Sequence, residues 1–125
     1  MFQIDVMSRT PVYEQLIEQM EKFILTGILN SGDKIPSVRS LSIELSVNPN
    51  TIQKAFSELD RRGIVFSVPG KGSFVSNEAL DIIRTHKRGN MGSLYELLNE
   101  LRLAGVSKDK IIACVGEVFG EEDMK

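Results

Sequence analysis

Residues 50–54 read Asn-Thr-Ile-Gln-Lys, so an amide, a hydroxyl, a second amide and an ammonium fall within a short span. Such groups transfer nothing by themselves. They donate and accept hydrogen bonds. An Asn or Gln side chain offers one donor and one acceptor side by side, which fits the N6/N7 edge of adenine. A Lys ammonium fits a guanine edge or a phosphate. This chemistry is recognition, and it requires a rigid element that aims Asn50, Thr51, Gln53 and Lys54 together.

That element is legible just upstream. Ile52, Ala55, Phe56 and Leu59 recur at helical spacing, which places the polar set on the opposite face. Pro49 would cost about 3 kcal/mol inside a helix but almost nothing at its first position, where the missing N–H has no partner anyway. Asn48 therefore reads as the N-cap, with the helix running to Arg62 before Gly63. A shorter helix precedes it, with Ser37 as N-cap after Pro36 and Val38, Leu41 and Leu45 as its apolar stripe. Two short helices joined by a tight turn are a helix-turn-helix signature. The free backbone N–H groups at the start of the first suit a phosphate, and Arg39 sits beside them.

After Gly63, IVFSVPGKGSFVS has two β-branched or aromatic arms around Pro69-Gly70-Lys71-Gly72. This predicts a β-hairpin whose glycines let the backbone approach a groove. Upstream, TPVYEQLIEQMEKFILTG predicts a helix with Thr10 and Pro11 as cap and first position, an apolar face of Val12, Leu16, Met20, Phe23 and Ile24, and Gly27 as its stop. Phe2, Ile4 and Val6 alternate as in a short strand. From Glu78 the chain reads as helices: one to about Arg88, one capped by Ser93 with Glu96, and one capped by Ser107. The fold class expected is mainly α with a small β-hairpin wing, a winged helix-turn-helix over residues 1–77 and a helical dimerisation tail over 78–125.

The composition fits this reading. The chain has 125 residues, 42% of them hydrophobic, a net charge of −2 and one cysteine. Residues 34–76 hold six basic and three acidic side chains, so the middle carries +3 and the flanks −5. No apolar run nears the roughly 20 residues of a membrane span, and MFQIDVMSRTP lacks the pattern of a signal peptide. A lone Cys114 fits a reducing cytoplasm. The expected location is cytoplasmic.

The stretch KIPSVRSLSIELSVNPNTIQKAFSELDRRGIVFSVPGKGSFV resembles the DNA-binding domain of the GntR family of bacterial transcription regulators. TPVYEQLIEQM and the short helical tail resemble that family's YtrA-like branch. The resemblance implies a homodimeric repressor of its own or a neighbouring operon, often one of transporter genes. It implies DNA contacts at Ser37 and Arg39, at Asn50, Thr51, Gln53 and Lys54, and at Lys71, Gly72 and Ser73. Asn48-Pro49-Asn50 replaces the commoner serine–arginine start of the recognition helix. Val68-Pro69 stands where basic residues are frequent. Both departures remove positive charge.

Plainer readings compete. A winged-helix module that binds protein instead of DNA would show a partner-facing apolar patch, and residues 47–76 contain none. An enzyme would need a nucleophile with its base, a metal cluster or a cofactor loop, and the residues supply none of these. GKGS lacks the spacing of a phosphate loop. His86 reads as an exposed helix residue, Cys114 as a small buried side chain, and Glu117, Glu121, Glu122 and Asp123 as a solubilising terminus. Arg61-Arg62 reads either as a phosphate contact or as a complement to the helix dipole. Phe56, Leu59, Ile64 and Phe74 read as core. The tail is too short to enclose a sizeable cavity, so a small-molecule effector, whose identity the residues do not disclose, is expected at the dimer interface or between domains.

Overall fold

The computed structural model describes residues 2–120. Its elements in order are α1 (Val12–Leu25), α2 (Val38–Leu45), α3 (Pro49–Arg61), β1 (Val65–Val68), β2 (Gly72–Val75), α4 (Ala79–Arg88), α5 (Met91–Leu103) and α6 (Lys108–Phe119). The chain divides into two compact units, 1–87 and 88–125.

In the first unit α3 packs on α1 and α2. Its Ile52, Ala55 and Leu59 are fully enclosed with Leu16 and Met20 of α1 and Leu41 of α2. Ile64, Val65 and Val75 of the wing base close the same core, as do Ala79 and Ile83 of α4. The compact unit runs to residue 87, because α4 supplies part of its interior.

The helix-turn-helix begins as its sequence predicts. The Ser37 hydroxyl accepts from Ser40 N at 3.0 Å, and Asn48 Oδ1 accepts from Asn50 N at 2.8 Å. Between the helices Ser46 is left-handed, with φ 54°. The turn is tied by Val47 N donating to Ser42 O (3.2 Å) and the Ser42 hydroxyl donating to Val47 O (2.6 Å).

The wing is an antiparallel hairpin pairing Val65 with Val75 and Val68 with Gly72. At its tip Lys71 N donates to Val68 O at 2.9 Å. Pro69 and Gly70, the latter at φ +77°, occupy the positions a type II turn assigns to them. Phe74 departs from the core reading. It is half-buried and stacks on the exposed Phe66 at 5.8 Å, since opposed residues of a hairpin share a face and the opposite face, with Val65 and Val75, is the one that packs inward.

Four local expectations change. Residues 2–6 form no strand. Their backbone groups are met by side chains of α1: Gln3 N donates to Gln19 Oε1 (2.9 Å), and Asp5 N to Gln15 Oε1 (2.9 Å). Pro11 takes the N-cap position of α1, one residue later than expected, and Thr10 O accepts from Gln15 Nε2 at 2.8 Å instead. In the second unit α5 starts at Met91 from Asn90, ahead of Ser93. Cys114 is exposed, because α6 buries only Gly116 and α5 buries no residue at all. Ser107 caps α6 as expected, accepting from Lys110 N at 3.2 Å. Glu121, Glu122 and Asp123 lie outside the described residues.

Candidate nucleic-acid interface

The two helix starts of the motif are chemically different. At α3 the backbone donors are already used. Pro49 has no N–H, Asn50 N goes to the Asn48 side chain, and Thr51 N goes to Asn48 O at 2.9 Å. What α3 offers a ligand is side chains. Asn50 and Gln53 are exposed and Thr51 is half-buried. Gln53 Nε2 donates to the Ser57 hydroxyl at 3.0 Å. At α2 the Ser37 cap occupies Ser40 N and leaves the N–H groups of Val38 and Arg39 open, as at any helix start. The positive end of the helix dipole points the same way. One start suits base edges and the other a phosphate.

The cations sort themselves by partner. Arg61 and Arg62 both hold the Glu58 carboxylate: Arg61 Nε donates to it at 2.9 Å and Arg62 Nε at 3.0 Å. These hydrogen bonds lower the Glu58 pKa from 4.5 to about 2. Arg62 also meets the buried Glu21 at 3.7 Å, and Lys87 meets it at 3.4 Å. The arginine pair is thus engaged within the fold.

Lys54 is engaged as well. Its Nζ lies over the Tyr13 ring, 3.9 Å from the centroid. Tyr13 in turn donates to Glu14 at 3.2 Å, which raises its pKa. A cleft of about 440 Å³ lies here, lined by these groups with Glu18, His86 and others. Within it Glu21 pairs with Arg62 and Lys87, and Glu58 with Arg62, and no buried side-chain polar atom among the described residues lacks a partner.

Three cations from residues 34–76 have neither a carboxylate nor an aromatic partner among the described residues: Lys34, Arg39 and Lys71. All are exposed. Arg39 is on the first turn of α2, Lys71 is at the hairpin tip, and Lys34 precedes α2 on a bridge to the wing. Gly72 is exposed beside Lys71, while the Ser73 hydroxyl is shared with that of Ser67 at 3.1 Å. Of the residues singled out in the sequence, the motif helices and wing present Ser37, Arg39, Asn50, Gln53, Lys71 and Gly72 openly. Lys54 is turned to α1. Lys34 was not singled out, because only the fold brings the segment before α2 against the wing.

Among the described residues no group of His, Cys, Asp and Glu could hold a metal, and no helix is long and apolar enough to cross a membrane.

Comparison with known proteins places this geometry in context. Residues 12–75 match the pattern of the bacterial regulatory proteins of the gntR family. The HTH-type transcriptional repressor YtrA of Bacillus subtilis (strain 168) is 41% identical over 125 residues, covering 97% of this chain and 94% of the repressor. A GntR family transcriptional regulator from Listeria monocytogenes superposes with a TM-score of 0.73 at 31% identity, covering 91% of this chain and 98% of the other. The DNA-binding domain of AraR, solved in complex with operator ORE1, is similar over 61% of this chain and 93% of its own, with a TM-score of 0.52 and 30% identity.

Proposed function

This chain belongs to the GntR family of bacterial regulatory proteins, and from that membership we propose that it is a homodimeric repressor. It binds an inverted-repeat operator in double-stranded DNA, at its own operon or a neighbouring one such as a transporter operon. The observation that carries the reading is the division of labour between the helix starts. A recognition helix with its backbone donors taken presents Asn50, Thr51 and Gln53 to base edges. The start of α2, with Ser37 and Arg39, and the wing tip, with Lys71, Gly72 and Ser73, hold the phosphates on either side. Lys54 joins the base-reading set by exchanging the Tyr13 ring for DNA.

Dimerisation is supported by what the second unit leaves uncovered. Leu94, Tyr95, Leu97, Leu103, Ile112, Val115, Val118 and Phe119 are exposed in a single chain. Helices this short rarely make an independent core, and a twofold partner is the common way to bury such faces. Two linked half-sites then raise affinity by roughly 10²–10⁴ with no new contact. A small-molecule effector fits the same scheme if it binds at the dimer interface and changes the spacing of the two motifs. The protein has a recognition role and no catalytic one, and it acts in the cytoplasm.

The test is a gel shift with DNA from upstream of its own gene at two salt concentrations. A specific complex that survives competitor DNA at the higher salt is expected. Binding that vanishes equally for this DNA and for unrelated DNA would count against a sequence-specific regulator.

A further inference from the structure

Building on the DNA-binding reading above, we propose that Lys34 is a second phosphate-binding cation of the wing, carried by the segment before α2 and given its path by Gly72. Lys34 stands opposite Phe74 in an antiparallel bridge. On either side of it Ile35 N donates to Ser73 O (3.0 Å) and Val75 N to Asp33 O (2.9 Å). Strand β2 therefore has a partner along both edges, β1 on one and residues 33–35 on the other.

Opposed residues of antiparallel strands point the same way. Lys34, Phe74 and Phe66 thus share the outward face of the wing, and Gly72, two residues before Phe74, shares it as well. The lysine stem runs across that glycine. A β-carbon placed on Gly72 would lie 2.9 Å from Lys34 Cε and 3.6 Å from its Nζ. Gly72 also has φ +116°, where side chains are strained. Glycine leaves the route open, and the stem along it carries the ammonium toward the hairpin end, where Gly72 is preceded by Lys71.

Lys34 has no carboxylate partner among the described residues. A charge held on a sheet by its own stem loses less side-chain freedom on binding than one on a free chain. An ammonium is a point charge without the fork of a guanidinium, so it suits a phosphate and carries no base preference.

Lys34→Met keeps an unbranched stem over Gly72 and removes the charge. Fluorescence anisotropy would follow its binding to two duplexes, the DNA upstream of its own gene and one of mixed sequence, across a salt series. The slope of log affinity against log salt is expected to fall by about one unit on both duplexes. Lys34→Gln should behave alike, Lys34→Arg should keep the wild-type slope, and melting temperatures should not move. An unchanged slope in Lys34→Met, alongside a loss of one unit in Lys71→Met, would overturn the Lys34 assignment and leave the DNA-binding reading standing. A loss confined to the upstream duplex would also overturn it, since that would mean base readout. Wild-type protein that binds neither duplex would overturn the reading itself.

Discussion

The ammonium of Lys54 lies 3.9 Å from the centre of the Tyr13 ring, joining the recognition helix to α1 through a cation–π contact. At an exposed site such a contact is worth about 0.5–1 kcal/mol. A double-mutant cycle of Lys54→Met and Tyr13→Leu, followed by urea unfolding, should return a coupling of about that size. If Lys54 leaves the ring to meet DNA, Tyr13→Leu removes the competing site and should tighten binding roughly two- to fivefold. Weaker binding by Tyr13→Leu would mean the ring is needed where it is.

Asn48 sets where the recognition helix starts. Its side chain accepts from Asn50 N, so Asn48→Ala should lower stability by about 0.5–2 kcal/mol. DNA affinity should fall by more than the stability loss explains, because the freed first turn carries Asn50 and Thr51. Thermal melting and anisotropy on the same preparation separate the two effects, and an unchanged melting temperature would contradict the cap.

Base readers and phosphate holders should part company under mutation. Gln53→Ala should cost about 1–3 kcal/mol on operator DNA and little on random DNA. Lys71→Ala should weaken both and reduce the salt slope by about one unit. Equal losses on the two DNAs for Gln53→Ala would remove Gln53 from the reading set.

Glu58 predicts an acid limb. Its carboxyl titrates at about 2 because Arg61 and Arg62 bind the charged form. A depressed carboxyl stabilises the fold in full above its unfolded value of 4.5. That contribution is lost as the pH falls through about 2. Glu58→Gln should flatten the stability profile across that window, and a carboxyl NMR titration should find Glu58 well below the other glutamates. A midpoint near 4.5 would mean the arginines are not bound in solution.

Two truncations test the units separately. A chain ending at Lys87 keeps Ala79 and Ile83, both in the first core, and should stay folded, become monomeric by light scattering and lose specific binding at physiological salt. A chain ending at Asn77 loses both and should be less stable. Removing a buried Ile side chain alone typically costs 2–5 kcal/mol. A Lys87-terminated chain that remains dimeric would place the dimer contact in the first unit.

The local elements were legible because their causes are local. Proline at a first helical position, a cap two or three residues from the N–H it accepts, and an apolar face at helical spacing all act within a few residues of chain. So α1, α2, α3, the wing and α6 fall close to where Pro49, Asn48, Ser37, Ser107 and the Pro69-Gly70 turn put them. Ser46 escaped notice, since no glycine marks its left-handed turn. Residues 2–6 alternate like a strand, yet the glutamines of α1 met their backbone groups first.

What only the tertiary structure decided is which polar side chains remain available. A lysine in a sequence is simply a charge. Packing α3 on α1 put Lys54 over Tyr13, and the end of α3 drew Arg61 and Arg62 onto Glu58. Pairing residues 33–35 with β2 laid Lys34 across Gly72, some 38 positions further along the chain. Ionic and cation–π partners are chosen by distance in space, which short-range patterns do not encode. The amino acids determined that this surface would be built from a helix-turn-helix and a wing. The fold determined which of its cations are left without an ionic or aromatic partner.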